Sequence, residues 1–265
     1  MTISVGGPSM SHAWLAALEA TLAAGGKAVN VVSSWPGIEE EEKTRIVLDD
    51  FIGSRPASAG KKKDWLRWPV ETVANTIFPI ELYDGTLDDP FAEFSELYLE
   101  GRTISKLVSP DGEYCERLVE WMGPDGEPIN QLAVVAKKLR RYRKNHFSSV
   151  YEVAIEDPHL DLRTQMPGRN GDPYGFPCLS HMSLTVVDDT LHLTAMYRNQ
   201  HLVRKAYGNY LGLSRLAWAL ADHADLGLGE IAVVATHADT ELGSAKGLGK
   251  RAIEQLVADV KAVLE

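Results

Sequence analysis

The stretch Pro177-Cys-Leu-Ser-His-Met-Ser-Leu-Thr-Val-Val187-Asp-Asp-Thr-Leu-His-Leu-Thr-Ala-Met-Tyr197 decides the fold. It holds two apolar, β-branched runs, 179–187 and 191–197, separated by Asp188-Asp189-Thr190. Runs of this length around a short polar turn read as an antiparallel pair of strands. Working outward, 207–225 is a long apolar helix closed by Leu226-Gly227, 230–236 is a buried strand, and 244–265 is a terminal helix. Upstream, 150–155 reads as a strand. Between it and the hairpin, 157–176 carries Pro158, Pro167, Gly168, Gly171, Pro173 and Gly175, which predicts a long loop of the kind that often carries function.

The first half is less regular. Residues 11–24 form a helix opened by Ser11 as its cap and stopped by Gly25-Gly26, with Trp14, Leu15, Leu18 and Leu22 on one face. A short strand follows over 27–32. Residues 39–43 are a charge run read as a solvated turn, 45–52 a strand, and 54–63 a polar loop whose three lysines form an exposed tip rather than a phosphate contact. A helix over 91–99 ends at Gly101 as its C-cap. Ser109-Pro-Asp-Gly112 and Gly123-Pro-Asp-Gly126 are turns. Residues 129–144 are an amphipathic helix whose basic end suits a helix C-terminus better than a nucleic-acid patch. Without an internal repeat or a dividing linker, residues 1–265 read as one α/β (α+β) domain, a mixed β-sheet flanked by helices.

Composition narrows the function classes. The net charge of −10 argues against a general nucleic-acid binder, which needs a basic face. A small anion held by two or three local arginines stays compatible with it. Two cysteines, Cys115 and Cys178, have no metal-type spacing and make no disulfide framework, so no metal is expected and a reducing cytoplasm is. No basic leader precedes an apolar run and no stretch approaches 18 apolar residues, which predicts a cytoplasmic chain without a membrane partner.

Cys178 sits where the loop meets the first hairpin strand, a place from which a side chain can face a cleft. A buried inert thiol is the plainer reading. A reactive thiol needs positive charge nearby, and Arg198, His201, Arg204 and Lys205 follow the second strand as a local cationic cluster. The cluster suits a thiolate or a phosphate, and equally an exposed turn at a helix entry. Asn209 opens the most apolar helix. It can cap that helix, or its amide can read the donor–acceptor edge of a heterocycle.

Order and spacing then resemble the thymidylate synthase family, whose core runs Pro-Cys-His, a hairpin, Gln-Arg-Ser-x-Asp and Pro-Phe-Asn. Here Pro177-Cys178-Leu179 is followed by Tyr197-Arg198-Asn199-Gln200-His201 and Tyr207-Gly208-Asn209. Arg198 lies 20 positions after Cys178 and Asn209 lies 11 after Arg198, both as in the family. Asn130-Gln131-Leu132 resembles the family's Asp-Gln-Ile, and Glu96-Leu-Tyr-Leu-Glu-Gly101 its Glu-Leu-Leu-Trp-Phe-Leu-x-Gly helix. The similarity spans most of the chain and is strongest over 177–213.

The resemblance implies a thymidylate synthase-like fold and a homodimer packed through the sheet face. It implies a Cys178 thiolate that adds to C6 of a pyrimidine nucleotide or nucleoside, so that C5 accepts a methyl or hydroxymethyl unit from methylenetetrahydrofolate. Arg198 would hold phosphate and support the thiolate, Asn209 would contact the base with His201 and Tyr207 beside it, and Glu96 would be the general acid/base. The departures are specific. His201 replaces the motif's acid, Thr236-His237-Ala-Asp239-Thr-Glu241 replaces Gly-Gly-Asp-x-His-x-Tyr, and Asn145-His-Phe-Ser-Ser-Val150 replaces the double arginine. Val31-Val32-Ser33-Ser34 stands where an Arg-Thr-Gly loop belongs, and the C-terminal lid over folate has no counterpart. These departures keep a second expectation open, a non-catalytic pyrimidine-nucleotide sensor or accessory protein on the same scaffold.

Overall fold

In the computed structural model, residues 2–54, 68–108, 114–156, 177–243 and 248–265 are described. The turn at 109–112, the loop at 157–176, most of that at 54–63 and the start of the terminal helix at 244–247 lie outside them. The chain begins with β1 (Ile3–Gly6), α1 (Met10–Ala23) and β2 (Lys27–Pro36), then α2 (Glu42–Gly53), α3 (Val70–Asn75), α4 (Pro90–Val108) and α5 (Tyr114–Val119). A small hairpin of β3 (Trp121–Met122) and β4 (Pro128–Ile129) leads to α6 (Gln131–Leu139) and α7 (Tyr142–Asn145). Then come β5 (Tyr151–Ala154), β6 (Leu179–Val187), β7 (Thr190–Tyr197), β8 (Gln200–His201), α8 (Tyr207–His223), β9 (Gly227–Asp239) and α9 (Lys250–Leu264).

The strands make one mixed seven-stranded sheet in the order β1-β2-β9-β7-β6-β5, with β8 pairing β9 in line beyond β7. β1–β2 and β7–β9 are parallel, and α1 and α8 are the crossovers that parallel neighbours require. The other pairs on that path are antiparallel. The α/β class expected from the sequence is therefore the observed one, a mixed sheet with flanking helices.

The deciding hairpin forms as read. β6 and β7 pair from Val187↔Thr190 back to Leu179↔Tyr197. Asp188 and Asp189 take φ of 49° and 56°, the left-handed pair that a type I′ turn demands. Several local readings differ, among them the helix expected over 129–144, which is divided into α6 and α7. The strand expected over 45–52 is helix α2, because Thr44, Leu48 and Ile52 recur every four residues and are its buried face. α4 runs on through Gly101 to Val108, since nothing at Gly101 requires a left-handed turn. The helix expected over 11–24 is capped two residues earlier, by Ser9, whose hydroxyl accepts from the His12 amide. Ser11 instead faces inward, 2.7 Å from the Tyr207 hydroxyl.

One face of the sheet carries the core. Val31, Trp35, Ile231, Val233, Leu193, Ala195, Met182 and Leu184 are essentially inaccessible. On the other face, the row Val32, Val234, Met196, His181 and Ala154 and the row Ser34, Ala232, Thr194, Ser183 and Glu152 stay partly open. α8 is held against the core by close backbone approach. A Cβ on Gly208 would lie 2.6 Å from Val73 Cβ, and one on Gly212 would lie 2.6 Å from the Ala74 carbonyl. Among the described residues no helix is long and apolar enough to cross a membrane.

Candidate active site

Parallel strands feeding a helix leave their C-terminal ends as the natural place for a site. Here the ends of β7 and β9, the start of α8 and the residue before β6 meet. Arg198 follows β7, and its amide donates to the Cys178 carbonyl at 2.9 Å while its Nε donates to the Pro177 carbonyl at 2.9 Å. The cysteine and the arginine are thus side by side, as the hairpin register dictates. Cys178 is half-buried and free, whereas Cys115 is fully buried in α5.

The thiol has a built surrounding. The Asn199 amide group donates to its sulfur. The same side chain lies 3.4 Å from His201 Nε2, and its Oδ1 lies 2.6 Å from His237 Nδ1. Read as a network, His237 Nδ1–H donates to the Asn199 oxygen and the Asn199 nitrogen faces sulfur and His201 Nε2. The Tyr114 hydroxyl faces the backbone amides of Cys178 and Leu179, and burial holds its ionisation above the usual tyrosine range.

Charge is arranged in two layers. Arg204 is 5% exposed and donates to Glu241 Oε1 at 2.7 Å, with Glu241 4% exposed. The Arg204 amide reaches Oε2 at 3.3 Å, and the Glu241 amide donates to Asp239 Oδ1 at 2.6 Å. His201 Nδ1 lies 3.9 Å from Glu241 Oε1. Lys205, half-buried, lies outside that pair with Nζ 4.1 Å from the centroid of the Trp68 ring. Desolvation pushes Lys205 down to about 7, against the opposing pull of Glu241 and Cys178. Burial likewise pushes the Cys178 thiol up, and Arg198, Asn199 and Lys205 offset only part of that rise. Burial thus favours the neutral form of both groups.

Several buried polar groups here lack partners. The Tyr197 hydroxyl and the Gln200 Nε2 are inaccessible and unbonded. Asn209 is 5% exposed. Each unbonded group costs about 1–3 kcal/mol if it stays unmet. Native structures rarely carry several together without a reason.

The expected site residues therefore divide. Cys178, Arg198 and His201 are brought together, with Asn209 one turn beyond Lys205. Tyr207 is turned away, its hydroxyl engaged by Ser11 and its ring edge-on to Trp14 at 5.5 Å. Glu96 is exposed on α4 and has no hydrogen-bond or ion-pair partner among the described residues. Sequence reasoning missed Asn199, Tyr114 and Tyr197 as neighbours of the thiol, His237 behind Asn199 and Trp68 against Lys205. Only Asn199 carried a signal, one place after the arginine on the same strand end. Among the described residues no group of three or more His, Cys, Asp or Glu gathers as a metal site. Compared with known proteins, the chain matches no protein-family model and no curated protein.

Proposed function

We propose that the chain is a one-carbon transferase of the thymidylate synthase type, acting at C5 of a pyrimidine nucleotide or nucleoside through a Cys178 adduct at C6. The observation that supports this reading is a half-buried thiol held beside Arg198 and Asn199 at the end of β7, with Asn209 largely buried at the start of α8, the element that follows. A planar heterocycle with paired donors and acceptors satisfies an Asn amide as a carboxylate does not. It also offers an electron-poor alkene carbon to sulfur. Methylenetetrahydrofolate is the proposed carbon donor, and the product is a methyl or hydroxymethyl pyrimidine.

The partly open sheet face supports the accompanying proposal of a homodimer, since Val32, Val234 and Met196 adjoin on it and Met196 is 47% exposed. One observation favours the second reading, a sensor or accessory protein: burial keeps the thiol protonated at rest. Tritium release to water from C5-labelled UMP, dUMP, CMP and dCMP, with and without methylenetetrahydrofolate, separates the two. Release from one nucleotide that disappears in Cys178→Ala is the expected result. Binding of a nucleotide without release from any of the four rejects the enzyme and leaves the sensor.

A further inference from the structure

Asn199 stands between the thiol and two histidines, and its amide has one end that donates and one that accepts. The nitrogen reaches the Cys178 sulfur and lies 3.4 Å from His201 Nε2, while the oxygen lies 2.6 Å from His237 Nδ1. Turned over, the same side chain would set its oxygen against sulfur and repel a thiolate. The neighbours decide between the two orientations. The π-helical turn Leu202–Ala206, after β8, carries Arg204 to Glu241, and the carboxylate so fixed lies 3.9 Å from His201 Nδ1. A carboxylate there favours the proton on Nδ1 and leaves His201 Nε2 a lone pair for the Asn199 nitrogen. The Asn199 oxygen is then left to His237, which is half-buried near the end of β9 beside a cavity that Ile3, Ala24 and Val29 also line.

We propose that His237 is a positioning residue of this site: its Nδ1–H holds the Asn199 amide with the nitrogen toward Cys178, so that an aimed N–H receives the charge when sulfur ionises. The inference rests on the reading of Cys178 as a nucleophile. As the S–H bond breaks, the proton leaves to water and the electron pair stays on sulfur. Burial opposes that charge, so a donor already fixed in direction matters more here than in water. The other groups acting on the sulfur are Arg198 after β7, Lys205 of the π turn, and the hydroxyls of Tyr114 on α5 and Tyr197 on β7, both held protonated by burial. Lys27 of β2 lines the cavity beside His237 and lies 3.6 Å from Asp239. An uncharged amide can accept from His237 and donate to sulfur at once, which a carboxylate or a hydrocarbon of that shape cannot.

The test is the rate of Cys178 alkylation by iodoacetamide, in which the S–C bond forms and iodide leaves. It is followed on the full chain from pH 6 to 10.5 and read against Cys115 by peptide mass. His237→Leu and Asn199→Leu should each raise the midpoint of the profile by about one pH unit, seen at pH 8 as a rate about tenfold lower. The double variant should shift by the same one unit, because the two residues act in one chain. His237→Asn puts an N–H where Nδ1 stands and should restore the native midpoint. His237→Ala and Asn199→Ala carry the same expectation as the leucine variants and replace either that does not fold. Shifts that add to two units in the double variant overturn the proposal. So does a His237→Leu chain that loses stability but keeps the native midpoint, or a His237→Asn midpoint no lower than that of His237→Leu. The expected shifts in a chain that releases tritium from no nucleotide keep the proposal and reject the one-carbon reading. Tritium release that His237→Leu leaves at its native rate and pH dependence does the reverse.

Discussion

Arg204→Met isolates what holds the π turn to the end of β9. Both partners are nearly inaccessible, 5% and 4% exposed, and their contact is 2.7 Å. A buried pair gains little over an apolar replacement, but removing one partner strands the other charge, typically at about 3–5 kcal/mol. The lower end applies here, because His201 lies 3.9 Å from the same carboxylate and Lys205 acts on it as well. The expected loss is therefore about 3 kcal/mol, read by urea unfolding at pH 7.5 as a lower midpoint at unchanged slope. Arg204→Met combined with Glu241→Leu removes both charges and should recover most of that loss. A single-variant loss under about 1 kcal/mol, or a double variant no more stable than the single, would refute the claim that the cost is a stranded carboxylate.

Stability should also depend on pH through Lys205. Its native value near 7 lies below the ordinary lysine value of 10.5, so between those limits the unfolded chain binds the extra proton. Native stability from this group rises with pH across that window, and the penalty is fully present below 7. Lys205→Met should thus be more stable relative to native at pH 6 than at pH 11, by up to about 5 kcal/mol before solvent screening reduces it, measured by thermal unfolding. Gly208→Ala should cost about 1–3 kcal/mol, because its Cβ would meet the Val70 carbonyl at 2.7 Å, whereas Gly101→Ala in open helix should gain about 0.5–1 kcal/mol. Asp189→Gly relieves a φ of 56° in the hairpin turn and should raise the unfolding midpoint by the equivalent of about 0.5–1 kcal/mol.

The parts legible in the sequence were those whose period is unambiguous. β6 and β7 alternate cleanly about two aspartates, and α8 is apolar over four turns, so both were readable. α2 was not, because Ile46-Val-Leu48 looks like a strand until the four-residue recurrence of Thr44, Leu48 and Ile52 is weighed against it. The cationic cluster after β7 was visible as composition, but its division of labour was not. Arg204 and Lys205 are adjacent in sequence, and only the π turn sends one to Glu241 and the other to Trp68. Tyr114 reaches the thiol from a helix 64 positions upstream, a contact that no local pattern encodes.

The place of β9 has a consequence for how the chain is made. β1 and β2 form one parallel unit, β5, β6 and β7 form an antiparallel one, and no register joins the two except through β9. That strand spans Gly227–Asp239, so a ribosome must translate all of both units before either acquires its inner neighbour. Until then two bare strand edges wait in one nascent molecule, each a template for pairing with another. Folding should accordingly be slow and paced by long-range closure, with yield in the cell sensitive to temperature and to chaperones that shield those edges.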